Sequence, residues 1–149
     1  MATQSRRGVF PAPFSEPPVD ALTEPFWRAA LDGRLVAPRC IGCGTFHLPP
    51  PPLCFSCQGD RFEWVELPGT GRIYTFTVVR HPLHPRLGDV VPYVSAVIDL
   101  DGTQGAGARM VLNVTHCDPD EVRVGDPVQI WFDRVGDTWS VPRARLQLG

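Results

Sequence analysis

The sequence predicts a mainly β chain: an extended N-terminal arm, a short helix, a small rubredoxin-like zinc ribbon and a C-terminal closed barrel of short strands. Three observations carry that expectation. Two Cys-x-x-Cys pairs stand ten residues apart near the first third of the chain. The stretch after them alternates apolar and polar residues and is rich in β-branched and aromatic side chains. Seventeen prolines and 14 glycines in 149 residues favour turns and short strands. The expected divisions are an arm over 1–19, helix and lead-in over 20–37, ribbon over 38–60, and barrel with tail over 61–149.

The arm is rich in proline and reads as an extended, polyproline-type segment, with plain disorder as the alternative. Phe10 and Phe14 lie four residues apart on it, a spacing that a partner groove could grip, so both are candidate partner contacts. Ser5-Arg6-Arg7-Gly8 is faintly similar to a twin-arginine export signal. Pro-Ala-Pro-Phe follows instead of an apolar stretch, which points to a cytoplasmic chain with reduced thiols.

Thr23 to Gly33 reads as the helix, with Thr23 as cap, Glu24 and Pro25 in the first turn and Gly33 at the exit. Phe26 and Trp27 are large for so short a helix. They must cover the ribbon, the barrel or another subunit, and are candidate partner contacts.

Cys40-Ile41-Gly42-Cys43 and Cys54-Phe55-Ser56-Cys57 carry the strongest local signal. Each pair aims two sulfurs at one point, and four thiolates complete a tetrahedron around one Zn²⁺. Such a centre has no open position, so its role is structural. Iron in the same cage, as in rubredoxin, is the rival reading, and a thioredoxin-like redox pair fits less well. His47 is expected at the surface or behind a ligand. Cys117 stands alone and reads as a small, half-buried thiol.

Past the ribbon, strands are expected at Arg61 to Leu67, Arg72 to Val79, Pro92 to Leu100 and Arg109 to Val114. Val128 to Asp133 and Thr138 to Val141 form a hairpin. Five or six short antiparallel strands favour an OB-fold barrel, with a small sandwich as the alternative.

Composition and missing motifs exclude much. The net charge is −2, and all 14 basic residues are arginine, so Schiff-base chemistry on lysine is ruled out. The charge lacks the footprint of a general nucleic-acid binder, and no apolar run reaches the 18 residues of a membrane helix. No nucleophile elbow, Walker loop, dinucleotide fingerprint or zinc-protease motif occurs. Gly102 to Gly107 joins two strands and reads as a hairpin tip. The loop from Arg80 to Arg86 holds His81 and His84, each followed by proline, as candidate partner contacts. Arg80, Arg86 and Arg109 are candidates for holding an anionic group, because a guanidinium forks onto phosphate or carboxylate.

The order of these pieces resembles a known family. It is carried by Pro25-Phe26-Trp27 with Leu31 to Leu35, the four cysteines, Gly69 to Val79, Pro92-Tyr93-Val94, Arg109-Met110 and Val124 to Val128. The chain is similar there to the zinc-ribbon/OB-fold accessory proteins, domain-of-unknown-function family thirty-five. One departure is the connection from Asp101 to Ala108, longer than the family's usual acidic turn. The resemblance implies a subunit without catalytic residues that binds a thiolase-fold acyl-CoA enzyme. The partner is a thiolase or a retro-aldolase of steroid side-chain degradation, in some relatives accompanied by a MaoC-like hydratase. It also implies acyl-CoA at a shared interface, with this subunit lining part of the CoA channel, and neither nucleic acid nor membrane as partner. The competing functional readings are a single-stranded nucleic-acid binder, with Tyr74, Phe76 and Tyr93 as stacking platforms, and an iron electron carrier.

Overall fold

The computed structural model describes residues 7–11, 17–103 and 107–147. Phe14 lies outside them, as do residues 104–106 of the glycine-rich connection. One helix, α1 (Glu24–Leu31), is followed by β1 (Val36–Cys40), β2 (Phe62–Glu66), β3 (Thr70–Val79), β4 (Tyr93–Leu100), β5 (Arg109–Thr115), β6 (Pro127–Val135) and β7 (Trp139–Leu146). No helix among the described residues is long and apolar enough to cross a membrane.

The helix starts where expected but by another device. Thr23 makes no side-chain cap. The carboxylate of Asp20 instead accepts from the N–H groups of Leu22 and Thr23 and from the Thr23 hydroxyl. The Thr23 bonds hold the Asp20 carboxyl below its ordinary pKa. Phe26, Ala29 and Ala30 form the buried face, which packs on β7 and β1. Phe26 therefore belongs to the core of this chain, which answers what its ring covers. Trp27 is half-buried and stands edge-on between Phe26 and Trp139.

β1 and β2 pair antiparallel, with Cys40 opposite Phe62 and Val36 opposite Glu66. This differs from the expectation that the strand after the ribbon begins the barrel. Alternation shows that Phe62 to Glu66 is a strand but says nothing about its neighbour. The Arg39 guanidinium bonds Glu63 across the pair, which pins the register.

The other five strands close into a barrel in the order β3-β4-β5-β7-β6, with β6 returning to β3. All pairings are antiparallel except the short β5–β7 contact, Val114 with Ala144 and Thr115 with Arg145, which is parallel. That order, with one parallel seam, is the OB-fold. Thr115 fastens the seam: its hydroxyl donates to the Ala144 carbonyl and accepts from the Trp131 indole. Val94, Ala96 and Ile98 alternate inward from β4 to meet Ile73, Leu112, Val114, Val128 and Ala144 in one core. Gly71 sits where β3 crosses β4; a Cβ there would overlap the Asp99 carbonyl.

The described part of the arm lies on the barrel. The His116 N–H donates to the Arg7 carbonyl at 2.7 Å and the Asn113 amide to the Gly8 carbonyl at 2.6 Å. Phe10 stands edge-on to Tyr93, 4.9 Å between centroids.

Candidate functional site

Two near-identical knuckles build the sulfur centre. In the first, the Gly44 N–H donates to the Cys40 carbonyl at 2.8 Å and the Cys40 N–H to the Thr45 carbonyl at 2.9 Å. In the second, the Gln58 N–H donates to the Cys54 carbonyl at 2.9 Å and the Cys54 N–H to the Gly59 carbonyl at 2.8 Å. Gly44 and Gln58, each following the last cysteine of its pair, both take positive φ, +77° and +64°. Gln58 does what glycine was expected to do, so composition gave no hint of its strained backbone.

The four sulfurs all lie within 4.8 Å of one another. Cys40 and Cys57, and Cys43 and Cys54, are 3.5 Å apart. A zinc–thiolate tetrahedron with ~2.3 Å bonds has edges of about 3.8 Å, so the set fits one Zn²⁺. Gly42 and Gly59 leave room around it: a Cβ on Gly59 would come within 3.3 Å of the Cys57 sulfur. The neighbouring thiols favour ionisation of Cys43 and oppose that of Cys57. Thr45 holds Cys43 down to about 6, while Cys57, although the Gly59 N–H pulls it down, is pushed up by the neighbouring sulfurs to about 12. A divalent cation removes that opposition.

His47 is buried, 7% exposed, with Nε2 3.2 Å from the Cys54 sulfur. Phe55 and Phe62 stand edge-on to its ring. Burial lowers its pKa, which keeps the imidazole neutral and leaves Nε2–H to donate to a thiolate.

A second feature lies where the ribbon and the helix meet the barrel. Between α1, the Leu48–Pro50 segment of the ribbon and the outward face of β3, β4, β5 and β7 runs a cavity of about 930 Å³. Trp27, Leu48, Tyr93, Val111 and Val141 are among its apolar walls, with Leu83 at its edge. Leu83 and Val111 are 80% and 72% exposed. Arg143 forms part of the floor and is 4% exposed. Its Nε donates to Asp133 and its Nη1 to the Asn113 carbonyl oxygen, both at 2.8 Å, and its guanidinium faces Phe10. Arg109 also lines the cavity; its Nε donates to Asp99 at 2.5 Å and its guanidinium stacks 3.7 Å from the Tyr74 ring centre. Asp99 raises its pKa.

Of the three expected anion contacts, only Arg109 lines this cavity. Arg80 pairs with Asp120 at 3.3 Å. The exposed His84 accepts the Arg86 N–H through Nδ1 at 3.1 Å and so shapes the turn at Pro85–Leu87. His81 and Arg86 are exposed on the same loop, outside the cavity lining. Tyr74, Phe76 and Tyr93, the candidate base-stacking rings, lie under Arg109, against the core and against Phe10 respectively. Burial pushes the Cys117 thiol up to about 11, away from nucleophilic chemistry.

A closed four-sulfur centre on a two-stranded ribbon, joined to a five-stranded barrel with one parallel seam, defines a zinc-ribbon/OB-fold protein with one structural zinc. Two family models match in succession: "ChsH2, rubredoxin-like zinc ribbon domain" over residues 27–63 and "ChsH2, C-terminal OB-fold domain" over 64–133. The chain belongs to the DUF35 family. A DUF35 domain-containing scaffold protein of Methanothermobacter thermautotrophicus is 31% identical over 68% of this chain and 74% of its own. A probable enoyl-CoA hydratase alpha subunit of Thermomonospora curvata is 38% identical over 72% of this chain, which spans 33% of that relative's length. A solved chain of the Ltp2-ChsH2(DUF35) aldolase superposes with a TM-score of 0.77 and 32% identity, covering 89% of this chain and 100% of that one.

Proposed function

We propose that this chain is a non-catalytic accessory subunit that binds and stabilises a thiolase-fold acyl-CoA enzyme, either a thiolase or a retro-aldolase such as one of steroid side-chain degradation. The observation that carries the reading is the likeness to the whole of the DUF35 chain in the Ltp2-ChsH2 aldolase. The closed sulfur centre supports it, because four thiolates leave zinc no position for substrate or water. A MaoC-like hydratase is the second partner in this reading, supported by the relative named as a hydratase subunit. The setting is the cytoplasm, where thiols stay reduced.

In this reading Arg80 and Arg86 meet CoA phosphates at the shared interface, with Asp120 releasing Arg80 when they do, while Arg109 stays held by Asp99 and stacked on Tyr74. His81 and His84, exposed on one loop, contribute to the partner face. The test is affinity capture of the zinc-loaded chain from its host with mass spectrometry, followed by reconstitution. The isolated chain is expected to turn over no acyl-CoA, and a captured thiolase-like enzyme to lose activity without it. Full activity and stability of that enzyme alone would overturn the reading.

A further inference from the structure

We propose that the cavity between α1, Leu48–Pro50 and the outward barrel face is a binding site for an uncharged hydrocarbon body, such as a medium- or long-chain alkyl group. The site is a property of this chain alone and stands apart from the partner role above.

Its size comes first. A cavity of about 930 Å³ falls at the upper end of the range, ~300–1,000 Å³, that encloses small molecules. Its walls come from separate elements: Trp27 from the helix, Leu48 from the ribbon, Tyr93, Val111 and Val141 from three strands. His47, next to Leu48 in the chain, bonds the Cys54 sulfur, so the metal centre anchors the ribbon wall.

Charge narrows the ligand. Both guanidiniums at the cavity carry a carboxylate already, Arg143 with Asp133 and Arg109 with Asp99. The Asn113 amide is engaged at both ends, its oxygen by Arg143 and its nitrogen by the Gly8 carbonyl. A charged ligand would find its counter-charge taken. A polypeptide segment would bring N–H and C=O groups needing partners that this floor has committed elsewhere. A hydrocarbon makes no such demand, and it would cover Leu83 and Val111 at the edge.

The probe is N-phenyl-1-naphthylamine, an uncharged dye that brightens in apolar surroundings, titrated into the zinc-loaded full chain at neutral pH. Saturable brightening is expected, with displacement by 1-decanol. Thr77→Trp fills the cavity from an exposed outward position, and Val111→Glu places a charge at its edge. Each should weaken uptake about tenfold or more, with zinc content and thermal melting as in the parent. A folded, zinc-loaded parent that takes up no dye overturns the proposal. So does unchanged uptake by both variants. Displacement by decanoate but not by decanol would overturn the uncharged assignment. Shielding of Val111 by a captured protein, without dye uptake by the free chain, would give the cavity to a protein partner instead.

Discussion

His47 and Cys54 are joined inside the ribbon, with the imidazole Nε2 3.2 Å from a sulfur of the metal centre and the ring buried between Phe55 and Phe62. A hydrogen bond to a thiolate ligand steadies its orientation and charge. His47→Phe keeps an aromatic ring and removes that donor. Zinc affinity is expected to fall ~10–100-fold, read by competition against a chelating dye, with the ribbon still folding at saturating zinc.

The same ring sets a pH dependence. Its pKa in the fold lies below the ordinary value of 6.5 because burial disfavours the imidazolium. Below that value the unfolded chain binds the proton more readily than the folded one. Stability therefore rises with pH through the window beneath 6.5 and is lost on acidification, by at most about 1.4 kcal/mol per pH unit from this group. Urea unfolding from pH 7 to pH 5 should show a shallower slope for His47→Phe than for the parent.

Arg143 and Asp133 are buried together on the outward barrel face. Asp133→Ala leaves a buried guanidinium with the Asn113 oxygen and the Phe10 ring but no counter-charge, and should cost about 3 kcal/mol or more in unfolding free energy. Asp133→Leu with Arg143→Met removes both charges and should recover much of that loss. A double variant no more stable than Asp133→Ala would contradict this account.

Gly71→Ala drives a methyl group into the Asp99 carbonyl and the Ile98 side chain. The β3–β4 pairing must open there, so a loss of roughly 1–3 kcal/mol is expected. Thermal melting with zinc retained in the ribbon checks that the damage stays in the barrel.

Cys40 and Cys54 are fully buried. Cys40→Ser should give a chain that binds zinc poorly and is recovered mostly as aggregate, because metal affinity is folding free energy for so small a ribbon. Metal analysis of the soluble fraction and chelator-induced loss of far-ultraviolet signal in the parent test the same point.

Much of this was legible in residue order. Two cysteine pairs at that spacing have few uses other than a tetrahedral metal, and period-two alternation located β2 to β6 and the start of β7, but neither β1 nor the end of β7. Pairing was not legible. Phe62 to Glu66 alternates as a barrel strand does, and only the partner opposite it, β1, assigns it to the ribbon. Phe26 looked available because the pattern of one helix cannot tell an outside partner from the chain's own β7. Thr23 looked like the cap because it occupies the favoured position, while Asp20, three residues earlier, wins through an ionised acceptor. The cavity could not be foreseen at all, since its walls meet only after the ribbon docks on the barrel.

The parallel seam between β5 and β7 has a consequence for biosynthesis. Closure joins positions 30 residues apart, Val114 with Ala144, through the strand ending at Leu146. Until that strand emerges from the ribosome, the nascent polypeptide carries two unpaired β edges, on β5 and β6, that invite association with other unfinished chains. A chain stopped before residue 139 is therefore expected to be insoluble, because this cylinder is shut by its last plank.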